Sequence, residues 1–340
     1  NSGWPAPKET EKATALTTPW TNLVPREIPY LTEKDSKAIQ LIEAKTISNT
    51  SSDALPKNKI LLTRTIDKQL KKQIKNYARK NRSITIPVIA NNETIILLFD
   101  LGKVINGMPK LNIKGTSGTE INILSAPFIV DNTFTYKIVD SDYNDKIILS
   151  GETDNWQSMY FKATRYMALT VKGNKKPIQL NYIGIHQLTY PFNDIGTIST
   201  PDAPWIEEFW NASKKTIDVT TTDALTDNYR ERRQYAQTGY YAALGNYWTF
   251  GDTALQRRYL VMVAQEQYAN GIMPAYAPLA KDDYMIVLDS NCLWIQSLYN
   301  YLRYSGDYKT VKELLPAAKK LMVLLHSFTD NTGLLNNPPY

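Results

Sequence analysis

The chain has 340 residues, 43% of them hydrophobic and 21% charged, a composition typical of a soluble globular protein with room for two domains. It contains no run of about 18 apolar residues, which excludes a membrane-spanning helix, and its single cysteine excludes an intrachain disulfide. The net charge of +6 is compatible with an anionic glycan, a membrane surface or nucleic acid, but no nucleic-acid recognition motif accompanies it.

Residues 1–192 have the pattern of a strand-rich region. Short runs that are apolar or alternating, separated by Gly, Asn and Asp, are typical of a β-sandwich. These predicted strands are 84–90, 94–102, 111–115, 120–124, 146–151, 165–171 and 177–183. Residues 36–83 interrupt the pattern with a polar stretch at 47–56 and a basic run at 68–82. We expect a solvated insertion or linker there, with attraction of the basic run to an anionic glycan as the alternative.

After Pro191 the hydrophobic period becomes helical. Asp202 is expected to cap the first helix, because its side chain can accept from the free amides of the first turn. The apolar stripe of this helix comprises Trp205, Phe209, Thr216 and Ile217. Further helices are predicted at about 232–250, 253–269, 291–304 and 308–328.

Two Gly-Asp pairs lie between consecutive predicted helices, Gly251-Asp252 and Gly306-Asp307. Glycine adopts the left-handed conformation that ends a helix, and aspartate caps the helix that follows. Their spacing of 55 residues suits a repeating helical hairpin, either in an (α/α) barrel or in an open α-solenoid. Five predicted helices are fewer than a six-hairpin barrel needs, so the sequence is expected to stop partway through one.

Three sets of residues stand out by their order and spacing. The first is Pro19-Trp20 with 23–29. The second is Phe99-Asp-Leu-Gly102 with Gly107, Trp156, 164–166 and 190–192. The third is Tyr229-Arg-Glu-Arg-Arg-Gln-Tyr235, followed by 289–290, 293–294, 305–307 and 333–335. In this order they resemble the α-L-rhamnosidases of glycoside hydrolase family 78.

The resemblance implies a jelly-roll-like β-sandwich followed by part of an (α/α)6 six-hairpin barrel. The implied divisions are a segment leading into the N-terminal β region (1–35), the insertion or linker (36–83), the β-sandwich (84–192) and the N-terminal part of the catalytic barrel (193–340). It also implies an inverting exo-acting glycosidase. Such an enzyme would release terminal L-rhamnose, or a related sugar, from a plant or algal polysaccharide or oligosaccharide, in the periplasm or outside the cell and without a cofactor.

The motif match implies that Glu231 is the general acid, which protonates the leaving oxygen while a base activates water on the opposite face. The general base is expected beyond residue 340. The implied substrate-binding residues are Asp227, Tyr229, Arg230, Tyr235, Asp289 and Trp294. The alternatives are loop capping for Asp227, helix capping for Asp289 and a place in the core for Trp294.

The acidic motif departs from the family pattern at three places. The family aspartate before the motif falls on Thr226, its Cys-Pro pair on Asp227-Asn228, and its later aspartate on Thr238. In the family these acids bind sugar hydroxyls, so their replacement puts L-rhamnose in doubt as the substrate. Asp227 is the candidate replacement for the first of them.

A metal site is not expected from the sequence. His186 and His326 are the only histidines and are predicted to be structural, which leaves too few ligands for zinc. The turn 140–145 offers candidate calcium ligands without the twelve-residue pattern of a calcium loop, and a solvated turn is the simpler interpretation. Cys292, in an apolar segment, is predicted to be buried.

Three other functions remain open on the sequence alone. A noncatalytic glycan-binding protein on the same scaffold would bind sugar without turnover. A polysaccharide lyase would use a Tyr or His base and would release an unsaturated product that absorbs in the near ultraviolet. A helical interaction scaffold would show no effect of sugar on its stability.

Overall fold

The computed structural model describes residues 25–49, 59–64, 66, 68, 72, 73, 77, 83–138, 141–279, 283–336, 338 and 339. The motif at Pro19-Trp20, most of the basic run 68–82, and Asp140 of the candidate calcium turn lie outside the described residues. The strands are β1 (Thr32–Lys37), β2 (Gln40–Ser48), β3 (Lys59–Leu61), β4 (Ile84–Ile86), β5 (Ile89–Lys114), β6 (Glu120–Ala126), β7 (Ile129–Val130), β8 (Thr133–Thr135), β9 (Lys137–Ile138), β10 (Ser141–Asp142), β11 (Asn144–Ile148), β12 (Thr153–Gln157), β13 (Lys162–Asn174) and β14 (Ile178–Thr189). The helices are α1 (Pro204–Thr220), α2 (Ala236–Thr249), α3 (Ala254–Gln265), α4 (Leu288–Ser305) and α5 (Tyr308–Ser327).

The long strand β5 organises the β domain. In the described part of the chain, the large sheet has nine strands in the order β1-β14-β5-β13-β6-β11, with β2 and β12 also on β5 and β4 on β14. The first part of β5 pairs with β2 and β13, and its end pairs with β12 and β14. The sheet therefore curls over one apolar core, to which β5 contributes Ile95, Leu97, Phe99, Leu111 and Ile113.

The predicted strands 94–102 and 111–115 are one continuous strand in the structure. The sequence between them contains Gly102, Gly107 and Pro109, which are typical of a turn. The chain stays extended there because neighbouring strands on both sides supply hydrogen-bond partners, a constraint that no local pattern contains.

Two described parts of the segment 36–83, β2 and Tyr77, belong to the β domain and not to a solvated insertion. Strand β2 lies within this segment and pairs with β5 from Gln40↔Asp100 to Ser48↔Glu93. Tyr77, inside the basic run, is buried, and its hydroxyl donates to Ile183 O at 3.0 Å and accepts from Ile183 N at 2.9 Å. The segment is therefore fastened to the sheet at both places, because each buries apolar surface on the core.

The two Gly-Asp pairs end and begin helices as predicted. Gly306 ends α4 with φ +68°, and Gly251 follows α2 with φ +66°. Asp307 Oδ1 accepts from Thr310 N at 3.0 Å at the start of α5, and Asp252 Oδ1 accepts from Leu255 N at 3.2 Å at the start of α3. The predicted β-sandwich followed by helices is confirmed.

The first helix differs from its prediction in two respects. Its N-cap is Ala203 rather than Asp202, because Pro204 is the first helical residue, and alanine has no side-chain acceptor to cap the helix. Trp205 and Phe209 are 67% and 69% exposed, whereas Ile217 packs on the apolar cluster at the domain junction. The predicted stripe therefore covers the described core only at its C-terminal end.

Cys292 is exposed on α4, which corrects the prediction of a buried thiol. The apolar residue that it neighbours, Trp294, is fully buried. Residues two positions apart in a helix are separated by about 200° around its axis, so Cys292 and Trp294 cannot both face the same core. Among the described residues, no helix combines the length and apolarity needed to cross a membrane.

A small apolar cluster and two ion pairs are among the described contacts between the two domains. The cluster joins Ile28 and Tyr190 from the β side to Leu225, Ala243, Tyr247 and Leu255 from the helical side. Arg26 donates to both carboxylate oxygens of Asp223 at 2.7 and 2.9 Å, and Arg257 pairs with Glu27 at 2.6 Å. These contacts fix the loop between α1 and α2 against the sheet.

Candidate active site

The loop between α1 and α2 presents the acidic motif on a tight turn. Asp227 Oδ1 accepts from the backbone N–H groups of Tyr229 and Arg230, each at 3.1 Å. The Glu231 N–H then donates to Asp227 O at 3.2 Å, which closes the turn. Asp227 therefore shapes the loop that holds Glu231, and its other carboxylate oxygen pairs with Arg230 at 3.3 Å.

The Glu231 carboxyl group is oriented by the backbone that follows it. Its Oε1 accepts from the N–H groups of Arg232 at 3.0 Å and Arg233 at 3.2 Å. The Arg233 guanidinium is 4.0 Å away, and 36% of the Glu231 side chain is exposed. Oε1 is thus fixed by two backbone amides, and among the described residues none is hydrogen-bonded to Oε2.

Arg233 connects Glu231 to a second carboxylate. Its Nη1 lies 3.0 Å from Asp283 Oδ2, and its guanidinium lies 4.7 Å from the centre of the Tyr276 ring. The Tyr276 hydroxyl donates to the same Asp283 oxygen. Sequence reasoning missed Asp283 and Tyr276, although the acidic pair Asp282-Asp283 between two predicted helices was the available signal.

The β domain supports this loop with aromatic rings. The Tyr143 hydroxyl is 2.9 Å from the carbonyl oxygens of both Asn228 and Tyr229 and donates to this pair. Burial raises the pKa of the Tyr143 hydroxyl, so it remains a neutral donor. The Tyr229 ring packs edge-on against Phe128 at 5.3 Å and Tyr143 at 6.0 Å, which fixes the turn before Glu231.

A cavity of about 440 Å³ lies beside the motif and is rich in guanidinium groups. Arg232, Arg233 and Arg258 line it, together with Thr226 and Tyr276. The carboxylate in its wall, Asp223, already binds Arg26, which lowers the pKa of Asp223. The lining therefore contains three guanidinium groups, of which Arg233 is also paired with Asp283, and one carboxylate.

The predicted site residues divide into two groups. Asp227, Tyr229, Arg230 and Glu231 share one turn, and Tyr235 follows at the start of α2 with its ring 5.3 Å from that of Tyr276. The other group, Asp289 and Trp294, lies on α4.

Trp294 is not available to a sugar. Its side chain is fully buried among helices α3, α4 and α5, and its Nε1 donates to Leu260 O at 3.2 Å. The substrate-binding prediction for Trp294 is therefore wrong, because a buried ring offers no face for stacking. Asp289 is exposed in the first turn of α4, and its side chain accepts from Ser290 Oγ at 3.4 Å rather than capping the helix.

The residues at the departures from the family pattern lie partly or fully inside the fold. The Thr226 hydroxyl donates to Asn228 Oδ1 at 2.6 Å, and both residues are buried. Thr238 is half-buried in the first turn of α2. Thr226 and Asn228 therefore brace the loop from inside.

Two family models match the chain. The bacterial α-L-rhamnosidase concanavalin-like domain matches residues 90–186, and the bacterial α-L-rhamnosidase six-hairpin glycosidase domain matches residues 193–337. Together they cover more than two thirds of the sequence. The chain belongs to the bacterial α-L-rhamnosidase family. No curated protein matches it.

Solved rhamnosidases share the fold of this family member. A family 78 rhamnosidase of Bacillus sp. GL1 superposes with a TM-score of 0.72 at 23% identity, over 80% of this chain and 28% of that one. A Klebsiella oxytoca rhamnosidase with rhamnose bound gives 0.71 at 19% identity, over 92% and 60% of the two chains. A Streptomyces avermitilis α-L-rhamnosidase complexed with L-rhamnose gives 0.52 at 16% identity, over 72% and 24%. The chain thus spans less than two thirds of the length of each of these proteins.

Metal-binding groups are sparse in the part of the rhamnosidase-family chain that the structure describes. No group of three or more His, Cys, Asp or Glu side chains is placed to hold a metal ion there. In the candidate calcium turn, Asp145 is paired with Lys162, whereas Asp140 and the side chains of Ser141 and Asp142 lie outside the description.

Proposed function

We propose that the protein is an exo-acting α-L-rhamnosidase that hydrolyses terminal L-rhamnosides with inversion, with Glu231 as the general acid. The observation that carries the proposal is the position of Glu231. Its partly exposed carboxyl group stands on a turn braced by Asp227 and Tyr143, with one oxygen fixed by backbone amides and the other without a hydrogen bond from the described residues. This arrangement lies in a chain with both domains of the rhamnosidase family.

In the proposed reaction, Glu231 Oε2 gives its proton to the glycosidic oxygen as the bond from that oxygen to C1 of rhamnose breaks. A water molecule attacks C1 from the opposite face and loses a proton to a second carboxylate. The products are rhamnose of inverted anomeric configuration and the aglycone alcohol. We assign no described residue to the second carboxylate, and this acid–base reaction requires no cofactor.

Asp227 and Arg230 are proposed to bind the sugar, since both side chains lie on the turn that presents Glu231. Tyr229 and Tyr235 flank them, and Asp289 is retained as a candidate sugar contact because its carboxylate is exposed. Trp294 is not part of the proposed site.

The substrate is proposed to be a plant or algal polysaccharide or oligosaccharide with an anionic group next to the rhamnose. The support is the cavity lined by Arg232, Arg233 and Arg258, because guanidinium groups bind carboxylate or sulfate oxygens in pairs. Under this proposal the enzyme acts in the periplasm or outside the cell, where such polymers are met.

The test compares the full-length protein with Glu231→Gln on two aryl α-L-rhamnosides. Glutamine keeps the shape of glutamate but cannot donate the proton. On an aryl group that leaves poorly, we expect kcat to fall by about 10²-fold or more with little change in KM. On a dinitrophenyl rhamnoside the loss should be much smaller, because that leaving group needs no proton.

Glu208→Gln is the matched control, since Glu208 is exposed on α1 and remote from the motif in sequence. NMR of the first product formed reports the anomeric configuration. Equal rates for parent and Glu231→Gln on the poor leaving group would remove Glu231 from the mechanism, and retention of configuration would remove inversion.

The second candidate is a glycan-binding protein without turnover. The buried bond between Thr226 and Asn228 favours it, because the position of a family acid is occupied by a side chain turned inward. This candidate predicts that L-rhamnose or an anionic rhamnoside raises the unfolding temperature while no aryl rhamnoside is cleaved.

A further inference from the structure

A polar cavity of about 530 Å³ opens on the β domain, in a part of the molecule that the proposed reaction does not use. Its volume lies within the range of about 300–1,000 Å³ that is typical of ligand sites. The charged and amide side chains that line it are Gln40, Arg64, Asp100, Asp131, Asn132 and Arg165. Ile42, Ile129 and Tyr166 add apolar surface.

The floor of the cavity is a cross-strand row on the large sheet. Gln40 of β2 and Tyr166 of β13 both pair with Asp100 of β5. The ladder between β13 and β5 is interrupted between Thr164 and Tyr166, so Arg165 is left without a β5 partner. Such irregularities re-aim a side chain and occur next to functional sites. Here Arg165 forms a two-bond contact with Asp100, at 3.1 and 3.3 Å, and both carboxylate oxygens are engaged.

One wall of the cavity is held by a buried carboxylate. Arg64 has φ +53°, a left-handed conformation that is unfavourable for a long side chain and natural for glycine. Glu43, which has no exposed surface, accepts from Arg64 N at 2.7 Å and from both the N–H and the hydroxyl of Thr63. A glycine at position 64 would adopt this backbone conformation without strain. Arginine accepts the strain but places a guanidinium group in the cavity lining.

Another part of the lining is the tip of the hairpin between β7 and β8. Asp131 and Asn132 have φ of +47° and +55° between the paired residues Val130 and Thr133, as a two-residue hairpin of this hand requires. The Arg64 Nε and Nη2 atoms are each 3.3 Å from Asn132 Oδ1. The two parts of the lining are therefore fastened to each other across residues distant in sequence.

We propose that this cavity is a second carbohydrate site, which binds a neutral saccharide unit through adjacent hydroxyl groups. The reason is the balance of its charges. Two guanidinium groups, two carboxylates and two amides line it, so its formal charges balance. Each sugar hydroxyl both donates and accepts, so it matches a lining that offers both donors and acceptors, whereas an anion or a cation would meet side chains of its own charge. Ile42 and Ile129 would contact the C–H face of the ring.

The cavity lining shares no residue with the turn that holds Glu231, so binding of a saccharide there requires no turnover. The proposal consequently stands or falls independently of the reaction proposed above.

The test is calorimetric titration of the protein with L-rhamnose, D-galactose and D-xylose, and with inorganic sulfate as an anionic probe. The decisive variant is the double change Arg64→Gly and Asn132→Gly. Both positions have left-handed backbones, so glycine removes the side chains while favouring the fold. An unfolding midpoint equal to or above that of the parent verifies this.

We expect at least one of the three sugars to bind, and the double variant to bind it at least tenfold more weakly. Lys172→Ala, an exposed change on the same strand as Arg165, should bind it as the parent does. An Arg165→Lys variant, which keeps the charge but loses the planar fork, should also bind more weakly.

Three results would overturn the proposal. The first is that none of the three sugars binds the parent. The second is an unchanged affinity in the folded double variant, because the sugar would then bind elsewhere. The third is sulfate binding that depends on Arg64 without any sugar binding, which would make the cavity an anion site.

Discussion

Replacing Trp294 by alanine distinguishes a core role from a sugar-binding role for this residue. Its side chain has no exposed surface and is the largest among the fully buried ones described. Truncating a buried tryptophan costs about 3–5 kcal/mol of unfolding free energy, including the cavity that it leaves. The lost bond from Nε1 to Leu260 O adds to this, with a net contribution of about 0.5–1.5 kcal/mol.

Such a loss is a large fraction of the about 5–15 kcal/mol that stabilises a typical domain. We therefore expect Trp294→Ala to unfold at a much lower urea concentration than the parent, when the helical circular dichroism signal is followed. Trp294→Phe keeps most of the ring volume and should lose about 1–3 kcal/mol.

Trp205→Ala is the matched control, because Trp205 is 67% exposed on α1 and should cost less than about 0.5 kcal/mol. The reasoning would be refuted by a Trp294→Ala protein that unfolds with the parent's midpoint and slope. If its affinity for rhamnosides fell at the same time, the residue would have to contact sugar.

The helix junctions give further predictions, measured by the same urea titration. Asp307→Ala should lower the unfolding free energy by about 1 kcal/mol. Asp307→Asn should lower it much less, because asparagine still accepts from Thr310 N, and equal losses would contradict the capping role. Hydrogen bonds from Thr310 and Tyr301 lower the pKa of Asp307 from 3.8 to about 2. The stability that the Asp307 carboxylate contributes is therefore complete above about pH 4 and disappears as the pH falls through 2. A difference in unfolding free energy between parent and Asp307→Asn that is the same at every pH would exclude this. Gly306→Ala and Gly251→Ala should each cost about 1–2 kcal/mol of unfolding free energy, because both glycines have left-handed backbones. Ile195 Cδ1 would lie 2.5 Å from the Cβ added at Gly251, but it ends an exposed side chain that can turn away, so a much larger loss at Gly251 than at Gly306 would contradict this reasoning.

The helical half of the fold was largely predictable because its signals are local. The Gly-Asp pairs act within a few residues of themselves, so their geometry follows from sequence without knowledge of neighbours. The start of α1 was mispredicted for an equally local reason, since Pro204 at the first helical position leaves Asp202 outside the cap.

The candidate site was only half predictable. The turn from Asp227 to Glu231 is formed by neighbours in sequence, and the motif indicated it correctly as one unit. Tyr143, which precedes the turn by about 85 residues, contacts its backbone, and Asp283, about 50 residues further along the chain, contacts Arg233. No rule of sequence spacing connects these residues with the motif.

The sequence by itself determined that a strand-rich domain precedes a helical one, where the α4–α5 junction lies, and that Glu231 stands in an acidic motif among arginines. These features depend on periodicity, capping and motif order, which act over short distances. Only the tertiary structure decided that β5 runs unbroken, that Trp294 faces the core while Cys292 faces solvent, and that Arg64 meets Asn132 across a cavity. Each of these depends on which elements pack together, because burial and long-range pairing are properties of the assembled chain.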